Sequence, residues 1–217
     1  MASISCAALF FRKAQPTHPL VTAGLRLTIA ALCLWPFVFR RVRHLGREFW
    51  ITAALAGCCY AVHFGAWVWS LELTTVAASV TLVTATPIML GVIGWLSGRD
   101  APGGRLWSAL ALAVLGVFMI SLDGSGDVDK SWVGDALALL GAAGMAGYLL
   151  LGRRCTPGTA LPLIAVAASV GALLLLGTAL LAQIPIETAS AESLFWIVMA
   201  ALIPQLIGHT CLTMALE

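Results

Sequence analysis

The sequence predicts an all-α integral membrane protein, a multi-span bundle of apolar helices. Three observations carry this. Of the 217 residues 60% are hydrophobic and 10% charged, with mean hydropathy +0.98, whereas a soluble domain holds roughly 25% charged residues. Seven apolar stretches approach the ~20 residues that a helix needs to cross ~30 Å of hydrocarbon. The charges gather between those stretches, and Arg26 alone lies deep inside one.

In chain order, residues 1–11 form an apolar run too short to span. Residues 20–39 make the first full span, introduced by Pro16 and Pro19 and carrying Arg26, with Pro36 near its end. Arg40, Arg41, Arg43 and Arg47 follow. Residues 49–71 and 74–96 form a tight helical hairpin interrupted only near Glu72. Its first arm carries His63 among Tyr60, Phe64, Trp67 and Trp69; its second carries hydroxyls at Thr75, Ser79, Thr81, Thr84 and Thr86, then Pro87. A polar turn (RDAPGGR, residues 99–105) leads to a span over 106–122, and an acidic Gly-rich loop (DGSGDVDKS) fills 123–131. Further spans cover 132–151, with Gly134, Gly141, Gly144 and Gly147 along it, then 161–182 and 194–216.

Basic residues set the orientation. With a cytoplasmic N-terminus, the inner segments hold Arg40, Arg41, Arg43, Arg47, Arg99, Arg105, Arg153 and Arg154, and the outer ones only Arg12, Lys13 and Lys130. The positive-inside rule favours that arrangement. It predicts a multi-pass protein of the cell (plasma) membrane. A net charge of +2 dispersed over short loops offers no patch for nucleic acid. The six cysteines lie mostly in apolar runs without framework spacing and read as small buried residues rather than disulfides. In MASISCAALFFRK the charges follow the apolar run, the wrong order for a cleaved signal peptide.

An internal repeat is legible. Aligning ALFFRK with YLLLGRR sets Arg12-Lys13 against Arg153-Arg154, Pro19-Leu20 against Pro162-Leu163, and Ser70-Leu71-Glu72 against Ala215-Leu216-Glu217. An odd number of spans separates the copies, so they would be inverted, an arrangement of transporters with a midplane site at the repeat interface. The expected division is 1–122 and 132–217. The alignment also leaves the chain looking cut at both ends.

The segments PLVTAGLRLTIAALCLWP, AVHFGAWVWSLELTTVAASVTLVTATPIML, WVGDALALLGAAGMAGYLLLGRR and ALIPQLIGHTCLTMAL resemble the EamA-type transporters of the drug/metabolite transporter superfamily. The likeness runs from Ser3 to Leu216. It implies two inverted five-helix repeats, ten helices in all, with both termini cytoplasmic. This chain would supply part of helix 1 and helices 2 to 8, without helices 9 and 10.

Residue types narrow the chemistry. An intramembrane charge costs at least ~2.5–3.5 kcal/mol on insertion scales, so Arg26 should face protein or water. It is either a contact for an anionic or zwitterionic solute, or a side chain that snorkels outward or pairs with Glu72. His63 and His209 sit near mid-depth on matching helices of the repeat. They are either packing residues or partners of a solute and of protons, because His titrates near neutral pH. Cys58, Cys59 and His63 share a helix, but a metal site would need further ligands that the spans lack. Trp67 shares the face of His63 and Tyr60, whereas Trp69 is placed as an interface anchor. The glycines at 141, 144 and 147 read as a close-packing stripe. Pro87 and Pro204 mark mid-span bends.

A midplane cavity lined by Arg26, Tyr60, His63, Trp67, Thr84, Gln205 and His209 is therefore expected, since these are nearly all the large polar or amphipathic side chains deep in the spans. The expected function is secondary transport, import or export, of a small organic metabolite or drug by alternating access. Its partners would be that solute, the bilayer and protons as coupling ion, with a homo-oligomer as a further option. The alternative is a non-transporting fragment or half-module of such a carrier. No G-x-x-x-x-G-K-[ST] exists for ATP-driven transport, and no cofactor is implied. An enzyme would need convergent acids or metal ligands within the spans, where only Asp135 near a helix start qualifies.

Overall fold

The computed structural model describes residues 6–98, 103–122 and 132–215, and helices account for most of them. They are α1 (Ala7–Lys13), α2 (Pro19–Val42), α3 (Arg47–Leu73), α4 (Val76–Val83), α5 (Thr86–Leu96), α6 (Gly104–Leu122), α7 (Trp132–Gly152), α8 (Ala160–Leu181) and α9 (Ala191–Ala200). A π-helical turn, Ala201–His209, continues α9 into α10 (Thr210–Met214). Among the described residues, six helical units are long and apolar enough to cross a membrane: α2, α3, Val76–Leu96, α7, α8 and Ala191–Met214. The expected span over 106–122 forms the 19-residue α6. The acidic loop 123–131 and the turn residues 99–102 lie outside the described residues.

Local chemistry places the helix ends. α2 opens on Pro19, whose missing N–H is harmless in a first turn, and the Nδ1 of His18 accepts from Leu20 N at 3.2 Å. The hairpin turn is extended backbone at Thr74, after which the Thr75 hydroxyl caps α4 by accepting from Ala78 N at 3.1 Å. Ser190 caps α9 in the same way, accepting from Ser193 N at 3.0 Å. The second arm of the hairpin is not continuous. It breaks between Val83 and Thr86, just ahead of Pro87, which cannot donate back to the preceding turn.

Four helices make the core. α3 packs most extensively on α7 and also on α8, while α2 packs on α8. The α3–α7 seam has room for glycine alone at 144 and fits closely at 141. A Cβ on Gly144 would sit 2.7 Å from the His63 amide nitrogen and 2.8 Å from the Cys59 carbonyl oxygen, and one on Gly141 would sit 3.2 Å from the His63 carbonyl. Backbone meets backbone there, the close approach small residues permit in membranes. Thr74 Oγ1 donates to Asp135 Oδ1 at 2.8 Å, tying the hairpin turn to the first turn of α7. At the same end Arg12 donates to the Leu71 carbonyl at 3.0 Å, Lys13 lies 4.4 Å from the Trp196 ring, and Ala189 N donates to the Thr17 hydroxyl at 3.0 Å.

Leu32, Phe37, Leu173 and Leu181 stand exposed around this core, an outer surface suited to hydrocarbon. The cysteines depart from expectation. None of the six is fully buried, and Cys6, Cys58 and Cys211 are exposed. An apolar outer face tolerates a small thiol as readily as a core does, so composition alone could not place them.

Candidate functional site

The core holds an unusual concentration of polar and aromatic side chains. Arg26 is fully buried on α2, and its Nη2 donates to Gln205 Oε1 at 2.8 Å. Gln205 Nε2 in turn donates to the Tyr60 hydroxyl at 3.2 Å. This chain joins α2, the π-helical turn and α3. The guanidinium is sandwiched between the Phe64 ring, 4.1 Å from its centroid, and the Phe11 ring at 5.1 Å. Arg26 thus neither snorkels nor pairs with Glu72, which lies beside Gln15 and Arg12 instead.

His63 is buried on α3, and its Nδ1 meets the Gly141 carbonyl at 2.7 Å. A carbonyl only accepts, so Nδ1 carries the proton. His63 stacks on Trp67 at 5.9 Å and meets the His209 ring edge-on at 6.2 Å. His209 also lies 5.3 Å from Phe64 and 6.3 Å from Tyr60. Gln205 and His209 both sit on the π-helical segment. They lie four residues apart on it, a spacing that puts both side chains on one helix face, and Pro204 sits just ahead of them.

Six of the seven residues expected at the site therefore converge: Arg26, Tyr60, His63, Trp67, Gln205 and His209. Thr84 does not join them. It is exposed at the break after α4, and its hydroxyl donates to the Thr81 carbonyl at 2.8 Å. Tyr148, which sequence reasoning passed over, does join. It is fully buried on α7, its ring stacks on Tyr60 at 4.1 Å, and its hydroxyl shares a 2.9 Å hydrogen bond with Thr213. One signal pointed to it, since the chain has only two tyrosines and both fall inside apolar spans. An open cleft of about 560 Å³ lies elsewhere, beside α1 and α4, between Leu9, Arg12, Val76 and Thr81. Among the described residues, no group of three or more His, Cys, Asp or Glu could hold a metal.

Outside the spans, burial pushes the His18 imidazole below its ordinary value of 6.5. The neutral ring is also what its capping role requires, since Nδ1 must accept.

A bundle of apolar helices around a closed polar and aromatic centre defines a multi-pass membrane protein whose expensive groups are turned inward. Residues 1–122 match the EamA-like transporter family, and the chain belongs to that family. It is also similar to the uncharacterized transporter YwfM of Bacillus subtilis (strain 168), at 29% identity over 142 residues, covering 64% of this chain and 47% of that protein. The chain thus spans about half the length of the curated relative it matches.

Proposed function

We propose that the chain serves secondary transport of a small organic solute, by alternating access around the cluster of Arg26, Tyr60, His63, Trp67, Gln205 and His209. The observation that carries this is the hydrogen-bonded chain from Arg26 through Gln205 to Tyr60, which joins three helices deep within the spans. Polar groups at that depth are expensive in hydrocarbon and mark solute pathways.

An inverted repeat, with copies over 1–122 and 132–217, frames the cluster. Its support is reciprocal packing: α1 lies on α9, as α7 lies on α3, while α2 and α8 face each other. The proposed setting is the plasma membrane with the N-terminus cytoplasmic, following the arginine distribution. Protons are the proposed coupling ion, through His63 and His209, whose rings touch. Homo-oligomerisation is part of the proposal. Its support is the Val76–Leu96 unit, only 28% of whose apolar stretch is buried, against 61% for Arg47–Leu73.

Proteoliposome uptake of labelled alanine, choline and benzoate tests the core of the reading. Saturable flux of one of these that Gln205→Leu abolishes is expected, varying between about pH 5.5 and 8. No saturable flux from folded, reconstituted protein would overturn transport. An unchanged pH profile after His63→Gln with His209→Gln would overturn proton coupling alone. Cysteines placed at His44 and Glu187, in a background lacking the native ones, test orientation. An impermeant reagent should label position 187 in intact cells and position 44 only after lysis.

A further inference from the structure

We infer that the solute carries an anionic head of the carboxylate class, held by Arg26 and Trp67; this rests on the solute-binding reading of the same cluster. Three buried side-chain atoms among the described residues lack a hydrogen-bond partner: Nε and Nη1 of Arg26 and Nε1 of Trp67. All three are donors, and among the described residues no buried side-chain acceptor is left without a partner. Buried polar groups are ordinarily satisfied, so a set of orphans of one kind describes its missing complement. That complement offers acceptors and brings no hydrogens. A neutral amide or a water would add donors to a place already in excess of them, whereas a carboxylate is acceptor-only.

Shared aromatic neighbours place the orphans in one part of the core. Phe11 is a shared wall: Arg26 lies over its face at 5.1 Å, and Trp67 meets it edge-on at 5.5 Å. Phe64 is the second wall, 4.1 Å from the guanidinium and 6.5 Å from the Trp67 ring. The aromatic faces hold the guanidinium flat and attract it without neutralising it. Gln205 engages one of its three nitrogens and is itself neutral. Two acids at the ends of neighbouring helices are committed elsewhere, Asp135 to the Thr74 hydroxyl and Glu72 beside Gln15 and Arg12. One uncompensated positive charge calls for one negative charge, which favours a carboxylate over a doubly charged phosphate or phosphonate.

Matched probes on the purified full chain in detergent decide the matter: benzoate, its neutral isostere benzamide, and phenylphosphonate, each titrated by ligand-induced thermal shift. Benzoate should bind at least ~10-fold more tightly than benzamide, the scale set by leaving buried donors unmatched. Arg26→Gln should erase that preference, and Trp67→Phe, which keeps the ring but removes one donor, should weaken benzoate several-fold and benzamide less. Where Arg26→Gln does not fold, the Trp67→Phe comparison stands alone. Phenylphosphonate binding tighter than benzoate would overturn the carboxylate assignment. Equal binding of benzoate and benzamide, both lost in Gln205→Leu, would overturn the anion while leaving the solute site intact. Failure of all three probes would overturn both.

Discussion

Tyr60 and Tyr148 lie face to face, ring centroids 4.1 Å apart and planes 23° from parallel, and so fasten α3 to α7 at the centre of the bundle. The Tyr148 hydroxyl continues the link to Thr213 on α10. Tyr148→Phe keeps the stack and loses that hydrogen bond, so it should lower stability by about 1 kcal/mol. Tyr148→Ala removes the ring and should cost about 3–5 kcal/mol, the range for emptying a large core aromatic. Thermal unfolding in detergent, followed by circular dichroism, ranks the two. Equal losses would mean that the stack contributes nothing.

The glycine seam supplies a sharper contrast. Gly144→Ala places a Cβ within 2.8 Å of backbone on α3, where no side chain can move aside, and should destabilise by about 1–3 kcal/mol. At Gly177 on α8 nothing lies within 4 Å of the added carbon. Gly177→Ala should therefore be neutral or stabilise by up to about 1 kcal/mol, because a helix interior favours Ala. The same unfolding assay checks both, and a stabilising Gly144→Ala would refute the seam.

His18 gives a pH dependence with a definite sign. Its folded-state imidazole titrates below 6.5, so its stabilising contribution is full above that value and fades as pH falls through it. The chemical reason is that protonated Nδ1 can no longer accept from Leu20 N. Melting temperature should drop on acidification from about pH 7.5 to about pH 5. His18→Asn, an amide cap that does not titrate, should flatten that slope. A slope unaltered by the substitution would assign it to other groups.

Asp135 joins α7 to the hairpin turn by accepting from Thr74 Oγ1 at 2.8 Å, and it sits in the first turn of its helix, where negative charge is favourable. Asp135→Ala should cost about 1–2 kcal/mol, combining the lost hydrogen bond with the lost charge. Asp135→Asn, which keeps an acceptor, should cost less. Denaturant titration of both variants is the check.

The spans were legible in the sequence because an uncharged apolar run of that length has few other destinations. Depth and polarity also identified six side chains that meet. They failed at Thr84 because a helix break, set by Pro87 three residues on, leaves the hydroxyl turned back to the Thr81 carbonyl. Gln205 and His209 share a helix face because they lie four residues apart, a spacing written in the sequence itself. Tyr148 went unremarked because stacking is a tertiary event, and its position along α7 gives no hint of the ring facing it across the seam.

The bare seam at Gly141 and Gly144 has a mechanical consequence. Two backbones in direct contact have no padding to compress and no rotamers to exchange, so α3 and α7 possess a single docking depth and travel as one plank. Any rocking of the bundle must then fall on joints cushioned by long side chains, such as α2 against α8, where Leu175 and Leu176 crowd Gly24. Those leucines can change rotamer and let one helix roll over the other. The plank carries Tyr60, His63, Trp67 and Tyr148, whereas Arg26 rides on the rolling side. Opening that joint would stretch the contact between the guanidinium and the rings that now enclose it.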